Sequence, residues 1–201
     1  MANYMIAEIN EKDWPEVSGL IAQGVPNALI SKLGIKAGVL YYKNFVKHAN
    51  SCCYVAKDES GIVTGMIIGT VGFDDSNTIS FKLRLIIAAN IRMFRLSVIN
   101  WFFKGLLAKI KGSKRQVSDC PAAELLAIAV KSQAKGTGLA QELVMKLEDF
   151  MVLKKVGGPY KIRTEKMNLR SNRFYEKIGA EFIKTDLHHG NEINEWHKLI
   201  E

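Results

Sequence analysis

The sequence predicts an α/β chain built on one mixed sheet, and three observations carry that expectation. The N-terminal stretch changes from two-residue alternation to helical spacing within a few residues, as a strand leading into a helix does. Further on, the apolar run "AAELLAIAV" stops just before a turn holding two glycines, and a second helical pattern starts at once. Toward the C-terminus, "AEFIKTD" and "INEWHKLIE" read as an antiparallel pair with "LHHGNE" between them. At 201 residues the chain can bury one proper core, so a single domain over 1–201 is expected.

The elements follow in order. Residues 3–9 alternate and are rich in Ile and Met, which predicts a first strand, and Trp14, Val17, Leu20 and Ile21 give 11–23 a helical spacing. A less regular helical region fills 25–48. "SCCYVAKDESGIVTGMIIGTVGF" then reads as two strands joined at the turn-forming "DESG". From 78 to 115 there is no acid and there are nine Lys or Arg residues among many large apolar ones, which predicts a basic amphipathic helical insertion between the third and fourth strands. Arg84, Arg92, Arg95 and Lys104 interrupt its apolar runs well short of the roughly 20 residues a bilayer requires, so no integral membrane span is expected. "GSKRQVSDCP" reads as an exposed connection. The fourth strand over 122–130 is expected to be buried on both faces, and Leu139, Leu143, Leu147 and Phe150 supply the inner stripe of the helix after the glycines. "GGPYKIRTE" starts a fifth strand, and "NLRSNRFYEKIG" is a short helix closed by Gly179.

Composition restricts the function classes. Cys52, Cys53 and Cys120 form an odd set without paired or ligand spacing, which fits a reducing cytosol and predicts buried strand residues rather than a metal site. The opening "MANYMIAEINEKDW" has acids where a signal peptide needs a basic start and an apolar stretch, so a cytoplasmic location is expected. A formal charge of +8 points to an anionic partner, whether nucleotide, phosphorylated cofactor, membrane surface or nucleic acid. Nucleic acid is the weakest of these, because neither an aromatic strand platform nor a known recognition helix is present.

The stretch "KSQAKGTGLAQELV" carries the chemistry. A strand ending at Val130, a turn holding Gly136 and Gly138, and a helix beginning immediately after bring free backbone N–H groups and a positive helix end to one place, which suits a phosphate. A P-loop would need Gly-Lys-Ser/Thr, yet Leu139 and Ala140 follow Gly138, and no G-x-G-x-x-G is present. Read alone, the glycines only let a strand turn closely into a helix.

Gln133-Ala134-Lys135-Gly136-Thr137-Gly138 resembles the Gln/Arg-x-x-Gly-x-Gly/Ala signature of the GNAT acyl-CoA N-acetyltransferases, and "LLAIAV" before it resembles their fourth strand. About thirty residues on, Asn168, Ser171, Phe174, Tyr175 and Gly179 resemble the family's Asn-x-x-Ala-x-x-Phe/Leu-Tyr-x-x-x-Gly helix, with Ser171 in place of the usual alanine and Ala180 in place of the usual aromatic. The match covers roughly 123–183, and the forty-odd residues inserted before it depart from the pattern of most members.

The resemblance implies a GNAT fold, with helices on both faces of the sheet, and acetyl-CoA as co-substrate without a metal. Its pyrophosphate would meet main-chain donors of 133–138 and of Leu139 and Ala140, and its pantetheine arm would add to the backbone edge at Ile128 and Val130. Tyr175 stands where relatives place the acid that protonates the leaving thiolate, although a Tyr beside Phe174 also suits a core. Asn168 would hydrogen-bond the CoA arm or cap the helix after it. Glu124, six residues before Val130, stands where some members use a glutamate as base through water, while an acid at a strand's start is also commonly just solvated; Glu165 is the reserve candidate. His188 and His189 beside Gly190 read as solvent-exposed.

The implied reaction moves acetyl from acetyl-CoA to a primary amine by direct attack in a ternary complex. A small polar amine or amino sugar is the first expectation for the acceptor, and a protein or peptide N-terminus or lysine the second. A non-catalytic acyl-CoA-binding or membrane-surface protein remains a further alternative. The insertion is expected to fold over the acceptor site or onto a second subunit, which leaves a homodimer open.

Overall fold

Among the described residues, seven strands form one sheet in the order Met5–Glu8, Ser51–Lys57, Val63–Thr70, Glu124–Val130, Tyr160–Glu165, Asn191–Lys198 and Glu181–His188, antiparallel throughout except where Glu124–Val130 and Tyr160–Glu165 run parallel. The computed structural model describes residues 4–26, 28–72, 121–188 and 190–200. The predicted insertion at 78–115, Cys120, His189 and the side chain of His188 lie outside the described residues.

The first strand, β1 (Met5–Glu8), is an edge strand, and a short 3-10 turn leads from it into α1 (Trp14–Gly24). The irregular region resolves into α2 (Leu29–Leu33) and α3 (Ile35–Val46). Strands β2 (Ser51–Lys57) and β3 (Val63–Thr70) form the predicted hairpin, whose turn is fixed by Asp58: its Oδ1 accepts from the amides of Ser60 and Ile62 at 3.0 Å each. After β4 (Glu124–Val130) come α4 (Leu139–Leu153), β5 (Tyr160–Glu165), α5 (Leu169–Lys177), β6 (Glu181–His188) and β7 (Asn191–Lys198). The last hairpin is tighter than "LHHGNE" suggests, because pairing continues to His188 opposite Asn191.

Each face of the sheet has its own core. On one, Val17, Leu20 and Ile21 of α1 and Tyr42 of α3 pack on Cys53, Val55, Met66 and Ile68. On the other, Leu139, Leu143, Leu147 and Met151 of α4 pack on Cys52, Ile67, Tyr160, Ile162 and Trp196, with Tyr175 of α5 among them. Leu139, Leu143 and Leu147 of the predicted stripe thus form the buried face of α4 while Phe150 is half-buried, and each fully buried aliphatic side chain contributes about 1.5–3 kcal/mol. Gly69 sets how closely α4 lies on β3, since a Cβ there would sit 2.3 Å from Leu147 Cδ1.

The fourth strand corrects one expectation. It is buried only at its beginning, at Ala123, Glu124 and Leu125, and from Leu126 to Val130 it is half-exposed. The reason is a β-bulge. Ile68 and Gly69 are consecutive on β3, yet their partners are Ala127 and Leu125, so Leu126 is an extra residue. A bulge bends its strand, and β4 pairs with β5 only at Glu124–Lys161 and Leu125–Ile162 before the two diverge. The divergence opens a cleft in the sheet. Among the described residues, no helix is long and apolar enough to cross a membrane.

Candidate active site

The cleft between β4 and β5 measures about 1110 Å³, and its walls come from both faces of the sheet. Ile128 and Val130 line it from β4, followed by the turn and helix start at Gly136, Thr137, Gly138, Leu139 and Ala140. Asn168 and Tyr175 line it from the β5–α5 side. Nine of the residues singled out in the sequence thus share one cleft. Gln133 and Glu124 do not line it: Gln133 is exposed in the 3-10 turn Ser132–Ala134, and Glu124 lies buried at the closed end of the β4–β5 pair.

The turn is built for backbone donors. Gly136 and Gly138 have φ of +84° and +93°, where a side chain is strained, and an added Cβ would meet no atom within 4 Å. The Thr137 hydroxyl donates to Ala134 O at 2.8 Å and holds the loop in shape. No side chain caps α4, so the amides of Leu139 and Ala140, which have no intrahelical acceptor, lie at the cleft together with the positive helix end. Lys131, Lys135, Arg170 and Lys177 give this end of the cleft its positive charge. An anionic group would be bound there by dipoles and cations together.

Across from it, Asn168 caps α5 by accepting from Ser171 N at 3.2 Å. The sequence did not single out Asn172, which ties three elements together. Its Nδ2 donates to the carbonyls of Glu165, Lys166 and Asn168, and its Oδ1 accepts from Asn194 at 2.9 Å and Trp196 Nε1 at 3.1 Å. This network fixes the end of β5, the start of α5 and β7, and thereby the place of Tyr175 one turn along. Tyr175 is only 5% exposed, and its hydroxyl makes no hydrogen bond to a described residue. Burial pushes its phenol well above the ordinary range, so it stays protonated in neutral and mildly alkaline solution. A protonated hydroxyl without a partner among the described residues, at the wall of a cleft, is suited to donate a proton to whatever enters.

The opposite end of the cleft is polar and mixed in charge. Tyr41, Tyr42 and Phe45 of α3 line it with Arg163 and Glu165 of β5, Asp186 of β6 and Glu195 of β7. Glu124 is 3% exposed and holds Arg163: the guanidinium Nε donates to Glu124 Oε1 at 3.0 Å and an Nη lies 2.8 Å from the same oxygen. Lys161 Nζ stands 3.4 Å from Oε2, close enough for ion pairing but without hydrogen-bond geometry. Tyr41 adjoins this group, and burial raises its phenol while the Arg163 charge opposes that rise. Glu195 Oε1 is 2.9 Å from His197 Nε2. Arg163, like Asn172, escaped the sequence reading, since nothing in "GGPYKIRTE" distinguishes one basic strand residue from the next.

Comparison with known proteins agrees with this geometry. The model of the acetyltransferase (GNAT) family matches residues 31–180. No curated protein sequence matches the chain. Among solved structures, the Arabidopsis thaliana NAA60 complex with acetyl-CoA superposes with a TM-score of 0.61 at 11% identity, covering 98% of this chain and 99% of that one. The NatC complex bound to Gag peptide and CoA gives 0.62 at 15% identity over 99% of each chain. An N-acetyltransferase from Staphylococcus aureus Mu50 gives 0.60 at 12% identity over the whole of both chains. At such identities the structural likeness speaks for the fold.

Proposed function

The chain belongs to the GNAT acetyltransferase family, and on that premise we propose that it moves an acetyl group from acetyl-CoA to the primary amine of a small polar acceptor, within a ternary complex in the cytoplasm. The observation that carries the proposal is the β4–β5 cleft, which joins a glycine turn open to phosphate with a buried phenol that has no hydrogen-bond partner among the described residues. Those groups fit a CoA thioester at both its anionic and its reactive end, and acetyl-CoA supplies the activated acyl carbon.

In this reading the amides of 136–140 bind the pyrophosphate, with Gln133 helping to shape the turn, while the free edge of β4 at Ile128 and Val130 pairs with the amide groups of the pantetheine arm. Asn168 offers a side-chain amide at the same wall. The amine attacks the thioester carbonyl, the C–S bond breaks, and Tyr175 Oη gives its proton to the departing sulfur. The proton lost by the amine passes to a carboxylate. Glu124 acts through water if its ion pair with Arg163 opens, and Glu165, which lines the cleft directly, is the second candidate.

The titratable phenol gives the test. Tyr175→Phe keeps the ring, so turnover followed by thiol release should fall about 100-fold or more while acetyl-CoA affinity by calorimetry and the melting temperature change little. A normal rate with a lowered melting temperature would assign Tyr175 to the core instead.

A further inference from the structure

The transfer reading leaves the acceptor open, and the far end of the cleft narrows it. Lys161, Arg163 and Glu165 alternate along β5 and so share one face of the sheet, with Glu195 in register opposite Arg163. Glu124 is a buried carboxylate set against two cations, Lys161 and Arg163. The exposed member of this group is Arg163, whose side chain is 43% accessible whereas that of Lys161 is 13%. The guanidinium has Nε and one Nη turned to Glu124 Oε1, which anchors it and leaves the other Nη to the cleft. A guanidinium held in place by a buried carboxylate loses little freedom on binding a second anion, and its planar fork suits a carboxylate.

Two residues further along the same face, Glu165 presents the opposite charge. It is half-buried, lines the cleft, and its carboxylate has no hydrogen bond or ion pair with a described residue. Its main-chain carbonyl, by contrast, is fixed by Asn168 N at 2.9 Å and by Asn172 Nδ2 at 3.1 Å. Alternate residues of a strand lie about 6.5 Å apart, so one small molecule can meet both side chains. Neighbouring Glu195 is turned to His197 and Asp186 to Lys184, at 2.9 Å each. At this end of the cleft, Arg163 and Glu165 are therefore a pair of opposite charge with capacity left over among the described residues. Resting on the transfer reading above, we propose that the acceptor is a free amino acid, its carboxylate taken by Arg163 and its amine held by Glu165. Neither an amino sugar without an acid group nor an internal peptide segment would use both.

The experiment offers the purified protein acetyl-CoA with a panel of α-, β- and ω-amino acids, each beside its own carboxamide. Thiol release is followed together with calorimetric binding of each compound to the protein–CoA complex. We expect the best amino acid to exceed its carboxamide at least about tenfold in kcat/KM and in affinity, as loss of a charged hydrogen bond implies. Arg163→Gln should remove that preference, with acetyl-CoA affinity serving as the check on folding. Equal or better transfer to carboxamides by the unaltered protein would overturn the amino-acid proposal and leave the transferase standing. Binding of amino acids in preference to carboxamides, without transfer to any amine, would uphold the Arg163 site and overturn the transferase reading.

Discussion

Two buried carboxylates on opposite faces of the sheet make the same kind of contact and differ in one respect. Glu148 of α4 accepts from Tyr160 Oη at 2.9 Å and pairs with Lys198 Nζ at 2.9 Å, and all three residues are sealed, at 6%, 0% and 4% exposure. Glu124 is as buried as Glu148, but its partner Arg163 opens onto the cleft. The first cluster has satisfied its charges within the protein and fastens α4 to β5 and β7. The second has a partner with capacity to spare. Burial of the acid is common to both, so what separates a fastening from a recognition element is the solvent access of the cation.

That contrast is most directly broken at Glu148. Glu148→Ala leaves Lys198 buried without its counter-charge and should cost about 3–5 kcal/mol of stability, read from chemical denaturation. The double variant Glu148→Leu with Lys198→Met should recover most of that loss. Failure to recover would mean that the cluster is worth more as charge than as packing. Glu124→Gln should cost less stability, because Arg163 can turn to water, but should lower turnover more than Glu148→Ala does in the folded fraction. The pH profile then divides the roles. A loss repaired at high pH, where the amine is already neutral, marks Glu124 as the proton acceptor, and a loss that persists at every pH marks it as the anchor of Arg163.

The smallest effect is expected where neither face opens to water. Adjacent Cys52 and Cys53 point into the two different cores. Burial pushes the Cys52 thiol up to about 12 and raises Cys53 as well, from an ordinary value of 9.0. Both should resist alkylation at pH 8 in the native protein and react after unfolding, as peptide mapping would show. Because the folded values lie above the unfolded ones, their contribution to stability is complete below about pH 9 and declines as the pH rises further. Alkylation of Cys53 in the native state would show that the α1–α3 face opens.

What the sequence made legible was local. The glycine turn, the stripe of α4, the Asp58 turn and the helix from Asn168 to Gly179 depend on residues a few positions apart, and each stands where spacing predicts it. What escaped depends on register between distant strands. Leu126 is one apolar residue in an apolar run until β3, more than fifty residues earlier, is laid beside it. Arg163 acquires meaning only when Glu124 is found across β4–β5, and Asn172 only when Asn194 and Trp196 arrive from β7. The rule that charged residues face water also fails for Lys198 and Glu148, because each supplies the other's solvation.

The extra residue at Leu126 makes the cleft a matter of arithmetic rather than of chemistry. No side chain at that position opens or closes the sheet, since the strand simply has one residue more than its neighbour needs. Removing it would restore the count, leave Ala127 opposite Ile68 on the α1–α3 face, and straighten β4 toward β5 along the length where an incoming chain now has room. The cleft in this molecule is thus one codon wide.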